Sequence, residues 1–257
     1  MTGPGELEGR VAVVTGAGRG IGLTVGHCFG RQGATVVIAD INAERGETAA
    51  ASLTAEGNVA HFLPLDVTDP AAVEEVARHV VGEWGRLDIW VNNAGLAEHG
   101  PSVAVSPSAW QRSIDIMLSG SFYGCQSAGR VMLAQGSGSI INVASVNGMV
   151  AQAGRAAYCA AKAGVIRLTE VLAAEWGAEG VRVNAVAPSV FPTDLVVAAL
   201  QAGAATLEGY IRRTPAARLG DLHELTAAFL YLASDASSYI TGQTLRVDGG
   251  WVSDHYL

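Results

Sequence analysis

Tyr158 and Lys162 are the residues of this chain whose types and spacing most clearly indicate chemistry. Residues at positions i and i+4 of a helix lie on one face, one turn apart. A phenol has a pKa of about 10 in water, and a neighbouring ammonium group favours the phenolate and lowers that pKa. Such a pair predicts a general acid/base that exchanges a proton with an alcohol or a carbonyl compound.

Ser145 comes before this pair, directly after the apolar run SIINVA at 139–144, where a strand is expected to end. Its hydroxyl could hold the oxygen of a substrate beside the phenol. A tyrosine and a lysine at this spacing also occur on many helices as solvent-exposed neighbours. The elements that carry these residues therefore decide the interpretation.

Short apolar runs rich in β-branched residues alternate along the chain with stretches of helical character, as in a parallel sheet buried on both faces. The predicted strands are 10–15, 34–40, 58–66, 87–93, 139–145, 181–188 and 243–250. The predicted helices run from the glycine-rich turn to about 32, over 42–56, from Pro70, and over 107–134, 152–178 and 221–234. With no linker or repeat, the pattern predicts one domain over residues 1–257, a doubly wound, Rossmann-type α/β fold whose parallel sheet of about seven strands has helices on both faces.

Composition narrows the class of protein. Of 257 residues, 49% are hydrophobic, 16% are charged and 32 are glycine, which suits a well-buried sheet and excludes a disordered chain. The net charge of −8, without a basic cluster, argues against nucleic acid and anionic membranes as partners. No apolar run approaches the ~20 residues of a membrane span, and the N-terminus has no apolar signal core.

The cysteine and histidine residues indicate a reducing compartment and no metal site. Cys28, Cys125 and Cys159 are an odd, scattered set, which is typical of reduced thiols in a cytoplasmic protein. The six histidines show no spacing typical of metal ligands. We therefore expect a cytoplasmic protein without a metal.

A glycine-rich turn between the first strand and the first helix predicts a nucleotide site. The turn holds Gly16, Arg19, Gly20, Ile21 and Gly22. Glycines allow the backbone to approach a pyrophosphate, and the helix N-terminus offers unpaired N–H groups to it. The alternative is a tight turn whose small residues serve only helix–sheet packing.

Asp40, at the end of the second predicted strand, favours NAD over NADP. Its carboxylate could accept hydrogen bonds from both ribose hydroxyls of the adenosine and would repel a 2′-phosphate. The next residue is Ile41, so no cation follows to receive that phosphate. Arg19 is the counter-argument, since it could reach a 2′-phosphate from the glycine turn.

With these residues placed, the chain resembles the short-chain dehydrogenase/reductase family, in its single-domain form, from Gly9 to Trp251. The motifs that carry the resemblance are TGAGRGIG at 15–22, Asp66-Val67, NNAG at 92–95, Ser145, Tyr158-x-x-x-Lys162, NAVAP at 184–188 and VDGG at 247–250. Their order along the chain is that of the family, which makes the set far more specific than any one motif.

The resemblance implies further roles. Asp66 and Val67 would contact the adenine, and Asn93, Ala94 and Gly95 would line the cofactor cleft. The residues from Pro188 to Thr193 would hold the nicotinamide carboxamide, among them Ser189, Phe191 and Thr193. Lys162 would bind the nicotinamide ribose and lower the Tyr158 pKa. The resemblance also implies a substrate lid at about 194–214 and a homotetramer with helices 107–134 and 152–178 at the interface.

Two positions depart from the family pattern. Met117 stands where the family usually has an asparagine that helps to hold a water connecting the active-site lysine to solvent. A thioether is a weak acceptor and no donor, so Ser119 or a backbone carbonyl would have to substitute, unless Met117 only fills space in a packing helix. Ser189 stands where a glycine is usual.

The candidate substrate contacts are Asn147, Gln152, Arg155 and His99. Their mixture of side chains suggests a small secondary alcohol or ketone of polyol, sugar-derived, cyclic-ketone or hydroxy-acid type.

Three alternative functions stay open. Met117 could mark a cofactor-binding protein with impaired catalysis, and a 3-oxoacyl reductase is a second possibility. An epimerase or dehydratase would need Glu98 and His99 as extra acid/base groups. The tail 252–257 could reach a neighbouring subunit or be a frayed terminus.

Overall fold

Seven parallel strands form one sheet in the computed structural model, which describes residues 5–96, 98, 100–193, 196 and 206–253. The strands are β1 (Val11–Thr15), β2 (Thr35–Asp40), β3 (Ala60–Pro64), β4 (Ile89–Asn92), β5 (Gly138–Val143), β6 (Val181–Pro188) and β7 (Thr244–Val247). Their order across the sheet is β3-β2-β1-β4-β5-β6-β7. The predicted doubly wound parallel sheet is confirmed.

The described helices cover both faces of this sheet. They are α1 (Gly20–Arg31), α2 (Ala43–Ala55), α3 (Pro70–Trp84), α4 (Pro107–Ile114), α5 (Gly120–Gln135), α6 (Ala156–Trp176), α7 (Leu207–Arg212) and α8 (Leu222–Ala233). Successive strand residues point to opposite faces, so Val14 packs with Phe29 and Phe229 while Val13 packs with Trp90 and Met132. The sheet is therefore buried on both sides, between α1, α2 and α8 on one face and α3, α5 and α6 on the other.

Two predicted helices differ from those observed. The predicted helix 107–134 contains a π-helical turn, Asp115–Ser119, between α4 and α5. The predicted helix 152–178 begins only at Ala156, since Gly154 takes a left-handed conformation with φ of 77°. The Gly154 carbonyl accepts a hydrogen bond of 3.0 Å from the Gly100 N–H, which holds residues 152–155 as a loop beside the sheet edge.

A buried polar network fixes β4 against β5 near their carboxyl ends. Asn92 Nδ2 donates to Asn142 Oδ1 at 2.9 Å, and Asn142 Nδ2 donates to Thr169 Oγ1 on α6 at 2.9 Å. Trp90 Nε1 donates to Asn92 Oδ1 at 2.8 Å. Asn92 thus holds the two central strands together, and the network also ties α6 to them.

Some of the predicted segments lie partly outside the described residues. Within the predicted lid, Val196 and 206–214 are described, and α7 occupies most of the latter stretch. Of the predicted tail, Val252 and Ser253 are described. No helix in the described ranges is long and apolar enough to cross a membrane. Within the same ranges, no three His, Cys, Asp or Glu side chains are grouped so that they could hold a metal ion.

Candidate active site

A cavity of about 390 Å³ opens along the carboxyl ends of the strands and gathers most of the predicted site residues. It spans the point where the strand order switches between β1 and β4, the usual ligand position in such sheets. The predicted residues that line it are Gly16, Arg19, Gly20, Ile21, Asp40, Asp66, Val67, Asn93, Ala94, Gly95, Ser145, Asn147, Gln152, Arg155, Tyr158, Lys162, Pro188, Ser189, Phe191 and Thr193. The structure therefore brings these residues together along one continuous cavity.

The glycine turn is held against the end of β4. Asn93 Nδ2 donates to the carbonyls of Thr15 and Gly16 at 2.9 and 3.0 Å, and Thr15 Oγ1 accepts from the Asn93 N–H at 3.0 Å. A Cβ on Gly16 would come within 2.7 Å of the Ala94 backbone, and its φ is 60°. Glycine is required there by both space and conformation.

The first helix presents its N-terminus to the cavity without a side-chain cap. Arg19 occupies the capping position and its side chain makes no capping hydrogen bond. The first N–H groups of a helix have no partners within it and carry a partial positive charge. Gly20 has φ of 59°, and nothing lies within 4 Å of the position where its Cβ would be. The turn therefore fits an anionic group such as a pyrophosphate.

Gly22 has a packing role, which differs from the predicted one. It does not line the cavity. A Cβ on Gly22 would lie 2.5 Å from Asn93 Nδ2, so its absence lets α1 approach the end of β4. Within the glycine motif, Gly16 and Gly20 face the cavity and Gly22 closes the helix–sheet contact.

Asp40 is 6% exposed and both of its carboxylate oxygens accept backbone hydrogen bonds. Oδ2 accepts from the Gly18 N–H and Oδ1 from the Asn42 N–H, each at 2.9 Å. Arg45 Nη2 lies 3.8 Å from Oδ1, and the Arg45 side chain is 41% exposed. The carboxylate is thus fixed in place at the cavity edge, with one cation beside it that sequence reasoning had not considered.

The adenine end predicted from the resemblance lies at the end of β3. Val67 is buried, and Asp66 is exposed with Oδ1 accepting from the Thr68 N–H at 2.9 Å and from Thr68 Oγ1 at 2.7 Å. The apolar side chains of Leu65 and Val67 and the polar edge of Asp66 all face the cavity. This mixture suits a flat aromatic ring with polar edges.

Ser145, Tyr158 and Lys162 meet at the opposite end of the cavity from Asp40. Ser145 follows β5, is 6% exposed and accepts a hydrogen bond from the Asn147 N–H at 3.1 Å. Lys162 is 4% exposed, and its Nζ lies 5.9 Å from the Tyr158 ring centroid and donates to the Val143 carbonyl at 2.6 Å. The phenol, the hydroxyl and the ammonium are thus in one place, on α6 and the end of β5.

Burial raises the pKa of the Tyr158 phenol above its usual value, and interactions with the Ser145 hydroxyl and the Arg155 charge offset part of the rise. Burial also lowers the pKa of Lys162 to about 8. The net shift of the Tyr158 pKa is upward in this structure, whereas the sequence led us to expect a value lowered by the charge of Lys162. Burial is the largest effect on the phenol, and the ammonium is directed at the Val143 carbonyl.

The residues after β6 have mixed roles. The Ser189 N–H donates to the Val247 carbonyl at 3.2 Å, so Ser189 is anchored to β7. Phe191 is 3% exposed and belongs to the hydrophobic core, and a Cβ on Gly220 would come within 2.3 Å of its ring. Phe191 therefore both belongs to the core and lines the cavity. Thr193 also lines the cavity and is the last residue described before a gap.

Met117 is fully buried in the π-helical turn and lines the cavity beside Gly95. Its sulfur lies 4.0 Å from the position of a Cβ on Gly95. Its carbonyl accepts a hydrogen bond from Ser121 Oγ at 2.7 Å. The carbonyl of Met117 thus already has a donor, and Ser119 does not line the cavity.

The predicted substrate contacts are brought together in part. Asn147 Nδ2 donates to Gln152 Oε1 at 2.9 Å, and Arg155 lies beside them with its guanidinium carbon 5.7 Å from the Tyr158 ring centroid. Glu98 forms an ion pair with Arg112 instead of facing the phenol. His99 lies outside the described residues.

Two aromatic residues of the cavity wall were missed by sequence reasoning. Tyr210 of α7 and Trp251 both line the cavity, and their ring centroids are 6.3 Å apart. Trp251 is 5% exposed, and Arg213 stacks on its ring at 4.6 Å. The only signal in the sequence was the position of Trp251 directly after the VDGG motif.

Known proteins match this chain over nearly its whole length. A family model described as enoyl-(acyl carrier protein) reductase matches residues 16–252. D-threitol dehydrogenase of Mycolicibacterium smegmatis is 40% identical over 246 residues, which are 96% of this chain and 94% of that protein. Cis-4-hydroxycyclohexanecarboxylate dehydrogenase of Sinomonas cyclohexanicum is 42% identical over 245 residues, covering 95% and 97%.

Among solved structures, a gluconate 5-dehydrogenase from Burkholderia cenocepacia, in complex with NADP and tartrate, has a TM-score of 0.92 with this chain. It is 39% identical, and the match covers 97% of each chain. The fold described above is thus shared, over nearly the whole chain, with this crystal structure.

Proposed function

The chain belongs to the short-chain dehydrogenase/reductase family, and from this premise we propose that it transfers a hydride between NAD(H) and a small secondary alcohol or ketone. At the level of class it is an oxidoreductase acting on CH–OH groups. The observation that carries the proposal is the cavity itself. It joins an anion-binding glycine turn and Asp40 at one end to Tyr158, Ser145 and Lys162 at the other.

The residues present fit a nicotinamide dinucleotide. The glycine turn and the uncapped N-terminus of α1 would hold the pyrophosphate, and Asp40 would accept from the adenosine ribose. Asp66 and Val67 would border the adenine, and residues 188–193 would face the nicotinamide. When bound, the nicotinamide supplies the carbon that accepts or gives the hydride.

We favour NAD over NADP because Asp40 is buried and held rigidly. A 2′-phosphate would have to lie beside a carboxylate whose two oxygens are both fixed by backbone N–H groups. Arg45 and Arg19 are the cations that could offset this repulsion, but Arg45 is half-exposed and 3.8 Å from the carboxylate. The related gluconate 5-dehydrogenase was crystallised with NADP, so the two cofactors must be compared directly.

The proton transfer follows from the geometry at the end of β5. Ser145 would hold the substrate oxygen against Tyr158 Oη. In oxidation, the phenolate of Tyr158 takes the alcohol proton, and in reduction the phenol returns a proton to the forming alkoxide. Lys162, held by the Val143 carbonyl, presents its ammonium charge beside the ring and stabilises the phenolate.

The relatives suggest the substrate class. One is named for a neutral polyol, D-threitol, and two are named for hydroxy acids, gluconate and cis-4-hydroxycyclohexanecarboxylate. A compact alcohol carrying further polar groups is common to all three. We propose this class ahead of a 3-oxoacyl thioester.

Absorbance of the reduced nicotinamide tests the proposal. Purified protein is assayed with NAD⁺ and with NADP⁺ against threitol, gluconate, cis-4-hydroxycyclohexanecarboxylate and, in reverse, a 3-oxoacyl thioester. Turnover of at least one small alcohol with NAD⁺ is the expected result. Binding of either cofactor without turnover of any compound would contradict the proposal and favour an inactive cofactor-binding protein.

The rate of oxidation is expected to rise with pH. Because burial raises the Tyr158 pKa, the phenolate is scarce at neutral pH and its fraction grows about tenfold per pH unit below that pKa. We expect kcat/KM for oxidation to rise with a slope near +1 from about pH 6 to 8. It should bend downward above the Lys162 pKa of about 8, where the ammonium charge is lost. A flat profile from pH 6 upward would show that the phenolate is already formed.

We also infer a homotetramer. Large apolar side chains are exposed on α4, α5 and α6, where Trp110 is 42%, Phe122 38% and Val171 46% exposed. These side chains lie on the helices that the family resemblance places at the subunit interface, so we infer that another subunit covers them there. Light scattering should give four times the mass of the chain, and a monomeric mass at micromolar concentration would contradict this assembly.

A further inference from the structure

The reaction end of the cavity is positively charged. Arg155 and Lys162 line it beside Tyr158. The carboxylates that line the cavity, Asp40 and Asp66 among the described residues, lie at the ends of β2 and β3. Three strand spacings separate β2 from β5, which is about 14 Å, so these carboxylates cannot pair with the cations near Tyr158.

Arg155 has no acidic partner in the described part of the chain. Its Nε is buried and makes no hydrogen bond. Its guanidinium lies over the Tyr158 ring, with the central carbon 5.7 Å from the ring centroid. Buried donors are satisfied in the large majority of cases, so this donor, on a charged group that lines the cavity, suits an acceptor on a bound molecule.

An acidic side chain that shares a cavity with Arg155, Glu98, is already engaged. Glu98 borders a second cavity of about 440 Å³ that Arg155 also lines. Its carboxylate pairs with Arg112 and accepts a hydrogen bond from Ser113 Oγ at 3.2 Å. The neighbouring amides of Asn147 and Gln152 bond to each other at 2.9 Å. Arg155 therefore faces the substrate end of the cavity with its charge uncompensated.

The loop that carries Arg155 is held in place. It precedes α6, and its Gly154 carbonyl accepts from the Gly100 N–H at 3.0 Å. A guanidinium on a fixed loop loses little freedom on binding, and its planar fork matches the two oxygens of a carboxylate. The chain as a whole carries a net charge of −8, so attraction of an anion must come from this local site.

We propose that Arg155 binds a carboxylate carried by the substrate, and that the chain acts on small hydroxy acids and their oxo acids in preference to neutral polyols. The inference rests on the proposed function, because it places the carboxylate on the molecule whose carbinol meets Tyr158. It selects the hydroxy-acid class from the two that the function leaves open, and it gives Arg155 a role in specificity.

A matched substrate pair tests this inference through a ratio. Cis-4-hydroxycyclohexanecarboxylate is compared with its carboxamide, and kcat/KM for the acid is expected to exceed that for the amide by about 30- to 100-fold. Arg155→Gln should bring the ratio to within about threefold of one, and Arg155→Lys should retain part of the preference. A change that affects folding or Tyr158 acts on both substrates and leaves the ratio unchanged.

Arg167→Gln is the control variant. Arg167 lies on the same helix, α6, but its side chain is 76% exposed and paired with Glu170. The Arg167→Gln variant removes the same charge without touching the cavity, so the ratio of kcat/KM for the acid to that for the amide should stay at the wild-type value. A ratio that fell equally in both variants would overturn the assignment to Arg155.

The outcomes separate this inference from the proposed function. Equal kcat/KM for acid and amide in the wild type would overturn the inference and leave the proposed function standing. If neither compound is turned over, the proposed function fails for this class, and calorimetry on the NAD-loaded protein replaces the assay. Binding of the acid at least about 30-fold tighter than the amide, lost in Arg155→Gln, would still support the site, whereas equal or absent binding would overturn it.

Discussion

Replacing Tyr158 by Phe is expected to lower kcat for alcohol oxidation by about a thousandfold, within the range that a positioned general acid/base contributes. The change removes the phenolic oxygen and keeps the ring, whose centroid lies 5.7 Å from the Arg155 guanidinium carbon and 5.9 Å from Lys162 Nζ. The glycine turn and Asp40 are untouched, so the variant should still bind NAD. Steady-state kinetics and NAD titration by fluorescence give the two readouts.

Tyr239→Phe is the matched control. It removes the same hydroxyl group from a tyrosine that is fully exposed and does not line the cavity. It should leave kcat within twofold of the wild type. If Tyr158→Phe kept more than about a tenth of the wild-type kcat, another group would have to be the acid/base. Loss of NAD binding in the same variant would instead indicate a collapsed site.

Replacing Asp40 by Ala is expected to raise the ratio of kcat/KM with NADP to that with NAD by about a hundredfold or more. Two unit charges about 4 Å apart near a protein surface interact by about 4 kcal/mol, and each 1.4 kcal/mol is a factor of ten. Removing the carboxylate ends its repulsion of a 2′-phosphate and frees Arg45, 3.8 Å away, to bind that phosphate. The ribose hydroxyls of NAD lose their acceptor at the same time, so both terms move the ratio in one direction.

Glu44→Ala provides the comparison for Asp40→Ala. Glu44 lies in the first turn of α2 and does not line the cavity. Its replacement by Ala removes the same charge as Asp40→Ala. In Glu44→Ala, the ratio of kcat/KM with NADP to that with NAD should stay within threefold of the wild-type value. A wild-type protein that already preferred NADP, or an Asp40→Ala variant with an unchanged ratio, would show that Arg19 and Arg45 set the cofactor preference.

The strands could be predicted because a sheet buried on both faces requires continuous apolar runs. Val11–Thr15 and Thr35–Asp40 show such runs without interruption. The π-helical turn at 115–119 could not be predicted, since it changes the hydrogen bonding of a helix without a distinct residue pattern. The late start of α6 depends on Gly154 pairing with Gly100, which is a contact between segments far apart in sequence.

The candidate site could be predicted where strand ends fix it, as for Gly16, Asp40 and Ser145. Tyr210 and Trp251 reach the cavity only through the packing of α7 and the segment after β7, which no local pattern reports. The pKa of Tyr158 was misjudged for a related reason. The i, i+4 spacing indicates the neighbouring cation, whereas the depth of burial, which is the larger effect, depends on the folded chain.

Transfer of deuterium tests the central claim most directly. A hydroxy acid or polyol accepted by the wild-type protein is labelled with deuterium at the carbinol carbon, and the reduced cofactor is analysed by mass spectrometry. We expect one deuterium in each molecule of NADH formed, because the hydride passes directly from the carbinol to the nicotinamide. Unlabelled NADH formed from the labelled substrate would contradict the account.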